Sequence, residues 1–220
     1  MAVIHHHASL TPTKLELLAT WLPAQPWYHD SGAAPDLAKV GGFRLDDPDG
    51  RVGLEFMVVT DAATGTSYLV PMTYRDAELP GAGDALIGTA EHGALGHRWI
   101  YDGARDPVLV TQLVALIQGQ AEPQAQSITD TPDPTVTSHP ITDPGADPGL
   151  TLTLTDPVTA ASTPASTELH LADGALTVRI NRVLHPGAHH DGPGVSAPWH
   201  LPDGTESRAA FVTATYQPPS

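Results

Sequence analysis

The chain has 220 residues, which is enough for one large domain or two small ones with an apolar core. Its formal net charge is −15 with only ten basic residues, which argues against a partner surface of nucleic acid or anionic membrane. Cysteine is absent, so disulfides and thiol chemistry are excluded. There is no apolar run of roughly 20 residues and no signal peptide pattern, so we expect a cytoplasmic location.

The first predicted element is a helix. Thr11 and Pro12 have the residue types of an N-cap and a first helical position. Apolar residues then recur at spacings of three and four up to Leu22, which gives one apolar stripe. Pro23 ends this helix.

A group of antiparallel strands is predicted next. The three strands cover residues 43–46, 51–60 and 67–73. A turn with an Asp-Gly pair separates the first two, and another turn follows at residues 61–66. In the second strand, alternate apolar residues from Val52 to Val58 share one face. A helix on an antiparallel sheet predicts the α+β class.

The next region combines a glycine-rich segment with a second helix. Residues 81–96 are predicted to be irregular, and residues 98–101 to form a short strand. Asp106 is the expected N-cap of the second helix and Gly119 its end.

Composition changes after this helix. Residues 122–149 are dominated by Pro, Asp, Thr and Ser, which predicts a linker or mobile loop. The later strands are expected at residues 150–154, 168–171, 176–183 and 209–216, with a long loop at residues 184–202. We expect these strands to form a second, small antiparallel sheet.

The sequence lacks the common motifs of nucleotide and hydrolase chemistry. It has no phosphate-binding Walker loop, no GxSxG and no HExxH. Lys14 falls on a predicted helix and Lys39 in a predicted loop, so neither matches the strand lysine of a kinase. We therefore expect no ATP-dependent chemistry by this chain alone and no cofactor.

Two groups of residues have the side chains that metal sites use. Glu91, His92 and His97 are suitable ligand types, but the glycines between them argue against a rigid site. The alternative, which we favour, is that these side chains form hydrogen bonds with backbone groups of an irregular loop. The second group lies in or beside a Gly/Pro loop and comprises His185, His189, His190, His200 and Asp191. An exposed surface is favoured there as well.

Charged and aromatic residues allow further alternatives. The charged set is Arg44, Asp46, Asp47, Arg75, Asp102 and Asp106. Structural ion pairs across strand ends are favoured over a general acid and base, because such catalysis needs a carboxyl group with a raised pKa in a cleft. The aromatic set is Trp21, Trp27 and Tyr28, for which a lid over the sheet is favoured over a ligand platform.

An ordered series of motifs resembles one protein family. The segments TPTKLELLATWLPAQPWY, VGGFRLDDPDGRVGLEF, VPMTYRDAELPG and LIGTAEHGALGHRWIYDG resemble the N-terminal cap domain of actinobacterial maltokinases. The resemblance covers about residues 10–119. It implies a cystatin-like fold, in which a helix packs on a curved antiparallel sheet. In that family the cap precedes a kinase that makes maltose 1-phosphate from maltose and ATP.

The second half resembles the same family more weakly. LTVRINRVLHPG is similar to a strand and loop of the small kinase lobe, and Arg179 occupies the position of the lysine that contacts the nucleotide. The large catalytic lobe has no counterpart in this sequence. The resemblance therefore implies a cap-like domain at residues 1–120, a linker or loop at 121–149, and a small β-rich subdomain at 150–220.

Three functions are open from the sequence. The leading hypothesis is a non-catalytic accessory protein that docks on a kinase or glucan enzyme in maltose, trehalose or glycogen metabolism. The alternatives are a module that binds a carbohydrate or another small molecule, and an enzyme of another type that uses His92 or His97 with Glu91. The candidate surface for a ligand or partner consists of Trp27, Tyr28, Arg75, Glu91, His92, His97, Arg98, Trp99, Tyr101 and Asp102.

Overall fold

The computed structural model describes residues 10–126, 131–142 and 150–217. In these ranges two α-helices accompany fourteen strands, which confirms the α+β class. The helices are α1 (Lys14–Trp21) and α2 (Pro107–Ile117). The strands are β1 (Leu10–Thr11), β2 (Leu37–Leu45), β3 (Gly53–Asp61), β4 (Thr66–Arg75), β5 (Leu86–His92), β6 (Gly96–Asp102), β7 (Gln124–Ala125), β8 (Thr137–His139), β9 (Ala160–Ser162), β10 (Ser166–Leu171), β11 (Leu176–Asn181), β12 (Val183–Leu184), β13 (Gly194–His200) and β14 (Glu206–Tyr216).

All of these strands join one antiparallel sheet. Its main order is β1-β5-β6-β4-β3-β2-β13-β14-β11-β10-β9. Three short strands lie off this path, with β12 beside β4, β7 beside β2, and β8 beside β13. Strands from the first and last thirds of the chain are therefore direct neighbours.

The central strand β3 is buried on both faces. Leu54 and Phe56 belong to the apolar cluster that contains Leu113 of α2. Met57 and Val59, on the other face, belong to the cluster that contains Leu18 of α1. Because side chains alternate along a strand, one sheet layer serves two cores, each with its own helix.

Helix α1 begins two residues later than the sequence predicts. Its N-cap is Thr13, whose hydroxyl accepts from the Glu16 amide at 3.3 Å. The Glu16 carboxylate in turn accepts from the Thr13 amide at 2.7 Å. This reciprocal capping box satisfies two amides that would otherwise be free. The prediction of Thr11 as N-cap is wrong, because Thr11 lies in β1 and pairs with Glu91.

Helix α2 matches its prediction. The Asp106 carboxylate accepts from the Val108 amide at 2.9 Å, and Pro107 is the first helical residue. Gly119, just past the helix end, has a φ of 71°, a conformation that glycine adopts at little cost.

The glycine-rich segment at residues 81–96 is more ordered than predicted. It contains β5, which pairs with β6 from Leu86 to His92. Gly88 lies in this strand, and α1 packs directly over it. A Cβ atom at Gly88 would be 2.7 Å from Cδ2 of Leu17. Here glycine allows a close approach of helix and strand rather than an irregular chain.

Two further predictions in the second half are wrong. The supposed loop at residues 184–202 contains β13, in which Val195, Ala197 and Trp199 alternate as buried residues. Conversely, residues 150–154 form no strand, although their leucines pack against the larger core.

The later strands also form no separate sheet. They continue the first one, because Trp199 in β13 pairs with Gly41 in β2. A Cβ atom at Gly41 would lie 2.8 Å from that of Trp199, so glycine lets the strands meet. The described parts of residues 122–149 add two short strands and bury Val136 and Ile141. The boundaries between the predicted domains remain a prediction.

Among the described residues, no helix is both long and apolar enough to cross a lipid bilayer.

Gly42 in β2 generates a stability prediction. Gly42 has a φ of 120°, and a Cβ atom there would lie 1.9 Å from the carbonyl oxygen of Phe56. We expect Gly42→Ala to lower the free energy of unfolding by about 3 kcal/mol in urea titrations. The control is Gly65→Ala, whose φ of 69° is also positive but whose Cβ would meet nothing within 4 Å. We expect a loss of about 1 kcal/mol there. Equal losses would contradict the proposed clash.

Candidate functional site

The hairpin of β5 and β6 presents most of the exposed residues of the predicted surface. Glu91 and His97 face each other in the sheet register, and the Glu91 carboxylate lies 2.6 Å from Nδ1 of His97. Both side chains are exposed, at 68% and 43%. A pair this exposed contributes little to stability, so it is available to a partner.

The tip of this hairpin is held by its own polar side chains. Nδ1 of His92 accepts from the Leu95 amide at 3.1 Å. The Arg98 guanidinium donates to the Leu95 carbonyl at 2.7 Å. The Trp99 ring is partly buried and meets the His97 ring edge to face, with centroids 4.4 Å apart. The hairpin therefore combines a fixed tip with one accessible aromatic ring.

The structure brings together only some of the residues that were considered as metal ligands. His97 lies beside Glu91, whereas His92 faces the hairpin turn. Within residues 10–126, 131–142 and 150–217, no group of three or more His, Asp or Glu side chains is placed to hold a metal ion. In the second half, His139 and His190 line a depression beside β13. The remaining predicted histidines are exposed there, together with Asp191: His185, His189 and His200.

Arg75 and Tyr101 hold the fold together. Nε and Nη2 of Arg75 donate to the two carboxylate oxygens of Asp106 at 2.6 and 2.7 Å. These hydrogen bonds raise the pKa of Arg75. Because Asp106 also caps α2, the pair ties β4 to the start of that helix. Tyr101 is buried, and its hydroxyl accepts from the Leu79 amide at 2.9 Å. The predicted ion pair of Arg75 is thus confirmed, with Asp106 as its partner.

Asp102 also forms an ion pair, but with a residue that the sequence did not single out. Its carboxylate accepts from Nη2 of Arg182 at 2.6 Å. The Arg182 side chain is fully buried, and its Nε donates to the Thr167 hydroxyl at 2.8 Å. The guanidinium carbon lies 5.1 Å from the centre of the Trp27 ring. One buried cation therefore joins β6, β10 and the loop after α1.

The aromatic residues after α1 form a lid, as the favoured interpretation held. Trp27 is 1% exposed and packs against Tyr68, with ring centroids 5.8 Å apart. The Tyr28 hydroxyl donates to the Asp61 carboxylate at 2.8 Å. Partial burial and this bond raise the pKa of Tyr28. Neither ring is placed as a flat exposed platform.

Glu55 is a second buried charge that sequence reasoning missed. Its carboxylate, near the start of β3, accepts from Nζ of Lys14 at 2.6 Å and from Nε2 of Gln126 at 2.8 Å. The Tyr74 hydroxyl donates to it as well. Burial acts to raise the pKa of Glu55, but the Lys14 ammonium and these hydrogen bonds hold it below its ordinary value.

Both missed residues carried a signal in the sequence. Glu55 and Arg182 each interrupt an apolar strand pattern, in GLEFMVV and in INRVL. A buried charge needs a partner, so such an interruption indicates an ion pair. Arg179, which the resemblance singled out, is instead exposed and pairs with Glu168 at 2.6 Å.

Comparison with known families finds one similarity, which covers part of the first half of the chain. Residues 21–106 match the family model of the maltokinase N-terminal cap domain. The match spans β2 to β6 and includes the hairpin of β5 and β6. No curated protein matches the chain with significant sequence similarity.

The buried ion pair generates a stability prediction. We expect Arg182→Met to lower the free energy of unfolding by about 3–5 kcal/mol, because it leaves Asp102 without its buried counter-charge. The control is Arg179→Met, whose side chain is 54% exposed and for which we expect a loss below about 1 kcal/mol. Urea titrations of both variants measure the difference. Similar losses in the two variants would show that the buried ion pair of Arg182 contributes no more to stability than an exposed one.

Proposed function

We propose that the chain is a non-catalytic accessory protein that docks on a maltose kinase or a related glucan enzyme. Its setting would be maltose, trehalose and glycogen metabolism in the cytoplasm of actinobacteria. The family match supports this setting, because a cap domain in that family accompanies a kinase. The cystatin-like arrangement is part of the same proposal, and α1 packed on the antiparallel strands is consistent with it.

One observation carries the docking proposal. Leu86 and Leu95 are 36% and 48% exposed, and they are the large exposed hydrophobic side chains found among the described residues. Leu95 lies in the turn of the hairpin of β5 and β6, close in the chain to the exposed Glu91–His97 pair, whereas Leu86 lies at the other end of β5. We take an exposed leucine beside exposed polar side chains as a surface that can meet another protein.

The buried charges are consistent with a binding role. Arg75, Asp102 and Glu55 each make short contacts inside the fold. Such contacts fix neighbouring strands in place and leave these groups unavailable to an external substrate. The exposed Glu91 and His97 side chains of the hairpin are not held in such buried pairs.

A carbohydrate-binding module is the second candidate. The accessible Trp99 ring beside His97 favours it, because sugars stack on aromatic faces and bond to polar neighbours. A single ring makes a small platform. We therefore rank this function below docking.

The docking proposal is tested by binding of the full chain to a maltokinase catalytic domain produced without its own cap. We expect saturable binding in biolayer interferometry. Leu95→Asp combined with His97→Ala should weaken it by about tenfold or more, which is about 1.4 kcal/mol. The matched control is His170→Ala, an exposed residue on β10, which should leave affinity unchanged.

Two results would contradict this proposal. Absence of binding to the kinase domain and to glucan enzymes of the same host would refute docking. Phosphorylated maltose formed by the chain alone with ATP would refute the non-catalytic role. Tryptophan quenching by maltose or glucans that Trp99→Ala abolishes would favour the second candidate instead.

A further inference from the structure

One segment of the chain contacts both the early and the late strands of the sheet. We call residues 123–141 the strap, of which the structure describes residues 123–126 and 131–141. In the chain, the strap follows α2 and precedes the later strands. It contains β7, which pairs with β2, and β8, which pairs with β13. The strap therefore lies where the early strands meet the late ones.

The direct pairing between β2 and β13 is short. In the described part of the chain, Trp199 and Gly41 are the one residue pair that joins these strands. At Phe43 and Arg44, β2 pairs with β7 of the strap instead. Residues 194–196 of β13 pair with β8 of the strap. The strap thus covers strand edges on both sides of the junction, and uncovered edges would present unpaired backbone groups.

The early end of the strap is held by a side chain and by its own backbone. Nε2 of Gln126 donates to the Glu55 carboxylate of β3 at 2.8 Å. The Ala125 amide donates to the Thr131 carbonyl at 2.8 Å. Because this second bond joins the two described stretches of the strap, a displacement of one stretch affects the other.

The late end of the strap is held by Arg208 of β14. Nη1 of Arg208 donates to the Thr135 carbonyl at 2.6 Å, and Nη2 donates to the Thr137 hydroxyl at 2.6 Å. Between and beyond these contacts, Val136 and Ile141 are buried in the larger core. The Arg208 side chain is half-buried, so water can replace its partners when the strap moves away. The late contacts can therefore break while the fully buried charges keep theirs.

We propose that the strap is a conformational device that opens as one unit while the strands on both sides stay folded. Its strands have only two and three residues, its polar contacts lie at both ends, and a backbone bond joins its two stretches. Segments with few contacts open at free energies below that of global unfolding. Opening uncovers the edges of β2 and β13 and leaves the Trp199–Gly41 pair between them. This property is independent of the docking function.

Hydrogen exchange of the folded full chain, measured by mass spectrometry, tests the proposal with Arg208→Ala. Arg208 also donates to the Ser196 carbonyl of β13 at 3.0 Å, so faster exchange in β13 alone is expected from any local change. The informative peptides are those of β2 and β7 at the other end of the strap. We expect exchange there to become about tenfold faster, as in β8, because loss of one anchor favours opening of the whole strap. Exchange in β3 should change by less than about twofold.

Two further variants provide the reciprocal test and the control. Gln126→Ala releases the early end and should speed exchange in β8 by about the same factor. Arg179→Ala removes an arginine of β11 that pairs with Glu168 at 2.6 Å, and it should leave β2, β7 and β8 within about twofold. Faster exchange confined to the end that carries each substitution would overturn the proposal. Unchanged exchange at both ends, or an equal increase in β3, would overturn it too.

Discussion

The buried guanidinium of Arg182 is the contact on which the arrangement of this chain depends. Removing such a cation from water costs several kcal/mol unless it is paired and hydrogen-bonded. Asp102, Thr167 and Trp27 supply a carboxylate, a hydroxyl and an aromatic face, and they come from three separate parts of the chain. Because these partners meet only in the complete fold, this cation specifies how the late strands join the early ones. A backbone hydrogen bond also links Arg182 to the early strands, because the Leu69 amide donates to the Arg182 carbonyl at 2.9 Å.

Pairing of buried charges also distinguishes the residues that stabilise the fold from those that a partner can reach. Glu55 pairs with Lys14, and Arg75 pairs with Asp106, so each of these charges has a partner within the fold. The hairpin of β5 and β6 differs from these sites, because its Glu91 and His97 side chains are exposed.

Local patterns were predictable from the sequence, and long-range contacts were not. Alternation identified β3, and the Asp106-Pro107 pair identified the start of α2, because both signals depend on adjacent residues. Glycine-rich composition led to two wrong predictions. Residues 81–96 and 184–202 were expected to be irregular, but they contain β5 and β13. At Gly88 the glycine makes room for Leu17 of α1, a contact that spans 71 positions and that spacing alone does not reveal. The partner of Asp102 is 80 residues away, which is why Arg182 was missed.

The central claim is that the early and late strands form one cooperative unit. Hydrogen exchange measured by mass spectrometry tests it most directly, by comparing peptides of β3 and β4 with peptides of β11 and β14. The account predicts that the most protected amides in both groups exchange through the same opening, with the same free energy and the same dependence on urea. Exchange of β11 and β14 through a separate opening of lower free energy, while β3 and β4 stay protected, would contradict it. That result would instead support an independent domain at residues 150–220.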